Sequence, residues 1–273
     1  PGRFKEIGKF CKNFKITNPL IVIDSGSTKL PFINDLQNLL SDAKIKSEIY
    51  SNISPNPRDD EIDGGCKVFK EGSHDAIIAI GGGSAMDGGK AISLTVNSGI
   101  PLWDFEFLDK VPRDLKGTNP FPKLITIPTT AGTGAETEIT AMVTDTKKGM
   151  KFCLWHPEAR PCLALVDPEL TLKLPANLTA WTGIDAMIHA IEGYSVPLFH
   201  PLCDGSALES LNLISKSLYL AVEEPDNLVA RGGMIVGSYL GGVAFLKGLG
   251  LVHAISHMVC LLYTSPSPRD IGE

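Results

Sequence analysis

No Cys-x-x-Cys occurs among the six cysteines (Cys11, Cys66, Cys153, Cys162, Cys203, Cys260). That absence argues against both a cysteine metal knuckle and a disulfide framework, so the thiols are expected to be free and mostly buried. No run of Lys or Arg is present, and the formal net charge is −6. A basic surface that tracks phosphates along a nucleic acid or sits on an anionic membrane is therefore not expected. Uninterrupted apolar runs are short, "AIIAI" at 76–80 being typical. They fall well below the roughly 20 residues of a membrane span. No signal peptide opens the sequence, which leaves a cytoplasmic or organelle-matrix setting as the expectation. Nucleic acid and membrane are not expected partners, and no internal repeat of solenoid period is visible.

What is present falls into two styles of pattern. Before Pro168, short β-branched runs alternate with helical stretches: "PLIVID" (19–24), "PFINDLQNLLSDAK" (31–44), "AIIAIGGGS" (76–84), "AMDGGKAISLTV" (85–96), "KLITIPTT" (123–130) and "CLALVDP" (162–168). Such alternation predicts β-α-β units and a parallel sheet covered by helices. After Pro168 the strand signal stops, and helical periodicity marks 178–194, about 204–222, about 227–246 and 249–260. The fold class expected is α/β, a Rossmann-like parallel-sheet domain over 1–167 followed by an all-helical domain over 168–260. Residues 261–273, "LLYTSPSPRDIGE", break into Ser, Pro and charge and cannot continue the last helix.

"AIIAIGGGSAMDGGK" carries a strand into three glycines and then a helix, with Ser84 and Asp87 at the spacing of a capping box. Glycines let a ligand approach the backbone, and free N–H groups at a helix start favour an anion such as pyrophosphate. The stretch matches neither standard fingerprint: Met86 stands where G-x-G-x-x-G needs its last glycine, and Ala91 where a P-loop needs Ser or Thr. A tight turn without a ligand reads equally well. "TIPTTAGTGAE" (126–136) ends another strand with Thr129, Thr130 and Thr133, a hydroxyl-lined loop or a turn that satisfies its own backbone. Asp24 closes the first strand and suits either a ribose or a turn.

In "TGIDAMIHAIEGY" (182–194), Ile184, Met187, Ile188 and Ile191 define a stripe expected to be buried, with Asp185, His189 and Glu192 about 100° round at the margin of the core. An i, i+4 Asp–His pair can be a solvated helix pair. The second apolar helix, "GLGLVHAISHMV", repeats the spacing with His253 and His257, and imidazoles in such surroundings need partners. A carboxylate and imidazoles converging from two helices would suit a divalent ion of the Zn²⁺ or Fe²⁺ type.

Taken together, "GGGSAMD", "PTTAGTGAE", "DPELTLKLP", "TGIDAMIHAIEGY" and "GLGLVHAISH" resemble, in order and spacing, the iron-containing (group III) alcohol dehydrogenases, near the lactaldehyde reductase and hydroxyacid-oxoacid transhydrogenase branches. The resemblance runs from about residue 2 to 259. It implies reversible hydride transfer between NAD(H) and a small alcohol or hydroxy acid, with metal and nicotinamide in a cleft between the two domains. By resemblance, Asp24, Asn56, Gly82, Gly83, Ser84, Asp87, Thr129, Thr130, Thr133 and Lys151 contact the cofactor. An acidic Asp24 favours NAD over NADP. Asp185, His189 and His253 match three of four metal ligands, Fe²⁺ before Zn²⁺, and His257 matches a histidine lining the substrate pocket and able to relay a proton. A homo-oligomer is implied when the protein is intact.

One departure accompanies the resemblance. The family's fourth ligand, a histidine in Pro-His-Gly, would fall near Ser265, Pro266, Ser267 and Pro268, and no histidine follows His257. Residues 261–273 are accordingly expected to be foreign or frame-shifted sequence on a C-terminally truncated chain. Two alternatives stay open: an inactive nucleotide-binding fragment, and a dehydroquinate-synthase-like lyase on the same scaffold.

Overall fold

A computed structural model describes residues 1–107, 115 and 117–259; the expectation for 261–273 lies outside the described residues. Contacts group the described residues into two units, one within 2–127 and 139–165, the other of 128–138 and 166–259. The division does not follow a single cut near Pro168, because the threonine loop groups with the helices.

The first unit begins with α1 (Ile7–Asn13) and continues through β1 (Pro19–Asp24), α2 (Pro31–Asp42), β2 (Glu48–Ile53), α3 (Asp59–Glu71), β3 (Ala76–Gly81), α4 (Gly83–Val96), β4 (Lys123–Pro128), β5 (Thr140–Asp145), β6 (Met150–Trp155) and β7 (Leu163–Ala164). Five strands form one sheet in the order β2-β1-β3-β4-β7. β1 pairs in parallel with β2 (Leu20 opposite Glu48) and with β3 (Leu20 opposite Ile77), and β4 with β7 (Ile125 opposite Leu163). β1 and β3 are buried along their whole length, which is why both read as unbroken apolar runs rather than alternating ones. Proline at the first position of α2 fits a helix start, and Ile33, Leu36 and Leu40 supply its buried face.

β7 is only two residues long and gives way to a 3₁₀ turn over Pro168–Thr171, so most of the strand expected at 162–168 is not regular structure. Four elements went unmarked by periodicity. β2, at the edge of the sheet, buries only Tyr50 and Ile53. α3 contains Gly64 and Gly65, where a Cβ at Gly65 would stand 2.3 Å from Ile92 Cδ1; the missing side chain lets α3 close on α4. β5 and β6 form an antiparallel hairpin, from Thr140 opposite Trp155 to Asp145 opposite Met150. Asp145 accepts from the amides of Lys147 and Lys148 at 2.9 and 3.0 Å, and Gly149 takes a φ of 63° that closes the turn.

The second unit is helical: α5 (Ala176–Ser195), α6 (Pro201–Glu223), α7 (Leu228–Ala244) and α8 (Leu251–Val259). His200 and Asn227 cap α6 and α7 by accepting from Cys203 N (3.3 Å) and Ala230 N (3.0 Å). α5, α6 and α7 approach closely because glycines stand at their contacts: a Cβ at Gly183 would meet Leu218 at 2.3 Å, and one at Gly237 would meet Ile214 at 2.6 Å. Arg231 on α7 is buried and donates to Thr179 Oγ1 (2.7 Å), Pro225 O (2.9 Å) and Leu174 O (3.3 Å), tying the start of α5 to α7. By length and composition, Leu228–Lys247 is the one described segment apolar enough to cross a membrane; 56% of it is buried inside the protein, as in a core helix.

α4 lies directly on the sheet at Gly89, where a Cβ would stand 2.6 Å from Ala79 Cβ on β3. Gly89→Val is expected to lower stability by about 1–3 kcal/mol through overpacking. Urea unfolding measures it, and an unchanged midpoint would show that α4 can lift from the strand at no cost.

Candidate functional site

α5 does not bury the face that periodicity assigned. Ile184 and Ile191 are 50% and 42% exposed, while Thr182, Gly183, Ala186, His189, Ala190 and Gly193 are buried. Small residues explain the inversion: they let α6 and α7 approach this face, whereas isoleucines would hold them away. Gly193 meets the backbone of Ala244 at 2.9 Å, and Gly241 on α7 meets Ala186 O at 3.1 Å. His189 is therefore fully enclosed rather than at the margin of the core.

Asp185, His189 and His253 converge in this unit, each offering a ligand atom, with all three atoms within 4.8 Å of one another. Asp185 Oδ1 lies 3.4 Å from His253 Nε2 and 3.9 Å from His189 Nε2. The two imidazoles stack with centroids 4.4 Å apart, and Phe245 closes over His189 at 4.8 Å. His189 Nδ1 sits 3.2 Å from Gly132 O, and a carbonyl can only accept, so Nδ1 carries the proton and Nε2 keeps its lone pair. His253 Nδ1 faces Glu192 Oε2 at 2.5 Å in the same manner. His253 Nε2 is buried and makes no hydrogen bond. Burial works against a charged His253, but the carboxylates of Asp185 and Glu192 facing its two nitrogens outweigh it and raise its pKa. Burial also pushes the Glu192 carboxyl upward, and hydrogen bonds from His253 and the amides of Val252 and Gly250 more than reverse that, leaving it below its ordinary value. His257, one turn along α8, is half-buried with its ring 6.0 Å from that of His253.

Thr129, Thr130 and Thr133 are all buried in the loop that supplies Gly132. Thr133 Oγ1 accepts from Ala135 N at 3.3 Å, and Thr130 Oγ1 is buried without a hydrogen bond. This loop is clamped onto the helices. Gly134 has a φ of 65° and lies where a Cβ would stand 2.7 Å from Gly242 Cα; at Gly132 a Cβ would stand 2.5 Å from Thr182 O.

In the sheet unit, the carboxyl ends of β1, β2 and β3 gather a second set of residues. Asp24 accepts from Ser27 N (2.9 Å) and Ser27 Oγ (2.7 Å), capping the 3₁₀ turn over Ser25–Lys29. Burial raises its pKa more than these bonds lower it. Gly81, at φ 147°, leaves room that a Cβ would close, 3.0 Å from Asp24 Oδ2. α4 starts at Gly83 with Gly82 as N-cap and no side-chain cap, which corrects the capping-box reading of Ser84 and Asp87. Ser84 lies inside the helix, and its hydroxyl donates to Pro55 O at 2.5 Å instead, pinning the loop that holds Asn56. Asn56 Oδ1 is buried without a hydrogen bond. Asp87 is buried one turn into α4. Lys151 is buried on β6 opposite Thr144, whose amide donates to Pro57 O at 2.7 Å, so the hairpin adjoins the Asn56 loop.

Comparison with known proteins shows the family. A family model described as iron-containing alcohol dehydrogenase matches residues 1–168, and its C-terminal counterpart, the Fe-containing alcohol dehydrogenase family C-terminal domain, matches 179–267. The chain belongs to the iron-containing alcohol dehydrogenase family. Among relatives, it is 36% identical to the NAD-dependent methanol dehydrogenase of Bacillus methanolicus, covering 96% of this chain and 68% of that protein. It is 32% identical to the mitochondrial hydroxyacid-oxoacid transhydrogenase of Rattus norvegicus, covering 94% of this chain and 60% of that protein. The crystal structure of a 1,3-propanediol oxidoreductase superposes with a TM-score of 0.92 at 32% identity, over 99% of this chain and 70% of that one. The chain thus spans about two thirds of the length of these family members. The C-terminal match reaches 267 and so includes the first residues of the stretch set apart by its Ser/Pro composition.

Two residues that hold the Asp185, His189 and His253 set in place carried little sequence signal. Gly132 acts through its carbonyl, which any residue possesses; only the density of glycines in "AGTGA" hints that backbone is being brought close. Glu192 was visible as part of a polar stripe, but its partner lies 61 residues away. Gly132→Ala is expected to push the loop off α5, costing about 1–3 kcal/mol and releasing His189 Nδ1. Thermal unfolding with ¹⁵N spectra of the imidazoles reads both effects. Unchanged His189 ¹⁵N shifts in a destabilised variant would show that Gly132 does not set the tautomer.

Proposed function

We propose that the chain acts as a metal-dependent NAD(H) oxidoreductase that interconverts a small alcohol or hydroxy acid and its aldehyde or ketone. The observation that carries this reading is the Asp185, His189 and His253 set, with both imidazoles buried and the carboxylate partly so. One carboxylate and two imidazoles with their Nε2 atoms turned toward a common point suit a divalent ion, and the buried His253 Nε2 has no hydrogen bond to use it otherwise. Fe²⁺ is the ion the family description favours, with Zn²⁺ as its chemical competitor. Membership of the alcohol dehydrogenase family supports this reading over a lyase on the same scaffold.

When bound, the metal supplies Lewis-acid polarisation of the substrate oxygen, and the nicotinamide supplies or accepts the hydride. The protein's own groups do the rest. Gly132 O and Glu192 hold the two imidazoles as Nδ1–H tautomers. The backbone amides of Gly82 and Gly83 at the start of α4 receive the cofactor pyrophosphate, with Ser84 and Asp87 shaping that turn. Asp24 accepts from the adenosine ribose and repels a 2′-phosphate, which selects NAD. Asn56 and Lys151 line the same cofactor, and the hydroxyls of Thr129, Thr130 and Thr133 flank its nicotinamide. His257 orients the substrate or passes its proton. A homo-oligomeric state and a cytoplasmic or organelle-matrix location complete the proposal.

The test combines metal analysis with NADH oxidation on a panel of small aldehydes. Wild-type protein is expected to retain a divalent metal and turn over at least one aldehyde. His189→Ala is expected to lose metal affinity by at least about a hundredfold, more than an outer partner of a ligand costs. A His189→Ala protein that keeps both metal and turnover would overturn the ligand assignment.

A further inference from the structure

Glu192 sits one turn beyond His189 on α5, buried, and is not among the three groups whose ligand atoms converge. Its carboxylate instead collects donors from the start of α8: Val252 N at 2.8 Å, His253 N at 3.4 Å and His253 Nδ1 at 2.5 Å. The chain is wrapped so tightly there that a Cβ at Gly250 would stand 2.7 Å from Glu192 Oε1. One carboxylate thus does two things. It satisfies amides in the first turn of α8, which that helix cannot satisfy itself, and it fixes which nitrogen of His253 carries the proton.

We propose that Glu192 is a positioning residue for the metal set: it acts through His253, holding Nδ1 protonated and aiming Nε2 at Asp185 and His189. This inference rests on the metal reading given above. The geometry separates the role from simple capping, because the amide bonds act on the backbone of α8 whereas the Nδ1 bond acts on the His253 ring itself and, with the stacking on His189, fixes which nitrogen faces Asp185.

Co²⁺, with its visible spectrum, probes the site in the full chain. Wild type, His189→Ala, Glu192→Ala and Glu192→Gln are titrated against a chromophoric chelator, and the His253 ¹⁵N tautomer is read in the metal-free protein. Glu192→Ala is expected to lose Co²⁺ affinity by about 10–100-fold, to change the Co²⁺ spectrum, and to lose the Nδ1–H signature of His253. Glu192→Gln, whose amide oxygen still accepts from Nδ1–H, is expected to restore most of the affinity and the tautomer, and it remains informative where the alanine variant does not fold. Wild-type affinity and spectrum in Glu192→Ala, or an unchanged His253 tautomer, would overturn the proposal while leaving the metal reading standing. So would a Gln variant as weak as His189→Ala. A wild-type protein that binds no Co²⁺ overturns the metal reading itself, and this inference with it.

Discussion

Enclosing a carboxylate and two imidazoles among helices is tolerable only where their remaining valences are directed, and the helical unit is arranged around that requirement. The carbonyl of Gly132 takes one Nδ1–H and the carboxylate of Glu192 takes the other. Both supports come from outside the helix they serve. His189 on α5 needs a loop from 128–138, and His253 on α8 needs a carboxylate from α5. The glycines follow from the same need. Gly132 and Gly134 let the loop backbone reach α5 and α7, and Gly193 and Gly241 let α5 and α7 close around the polar column. Exposed isoleucines on the far side of α5 are the counterpart: the helix spends its small residues inward, and its bulky ones have no place there.

The sheet unit solves a different problem with the same residue type. A strand that ends in glycine and a helix that starts without a side-chain cap leave amides available at the head of α4. Ser84 would be a plausible cap for those amides, yet its hydroxyl is committed to Pro55 O, which fixes the neighbouring Asn56 loop and leaves the helix start open. Asp24 is likewise committed to Ser27, and so reaches the end of β1 in one held rotamer.

How much of this was legible depended on whether the signal was local. β1 and β3 were readable because complete burial leaves no polar interruption, and the four helices after Pro168 were readable from spacing alone. β2 was not, since two buried residues at a sheet edge make no pattern. α3 hid behind Gly64 and Gly65, which argue against a helix until Ile92 is seen against them. The polar trio Asp185, His189 and His253 stood out by chemistry, but the face of α5 was misread, because hydrophobicity was taken as the guide to burial where side-chain size decided it. Ser84 was misread as a cap for a related reason: its competitor, Pro55 O, comes from a loop 29 residues away. His257 is half-buried beside the set, its ring tilted toward His253.

The grouping of residues 128–138 with the helices has a consequence for how the protein can be divided. A fragment begun at Val166 would contain every helix of the second unit yet lack the one carbonyl that receives His189 Nδ1. It would also uncover Gly242 and Thr182, whose neighbours are Gly134 and Gly132. Its interior would lose the acceptor that now receives His189 Nδ1–H, a defect costing about 1–3 kcal/mol before any surface is counted. The helical half is thus continuous in space and discontinuous in sequence, and the cut that composition suggests would pass through its core.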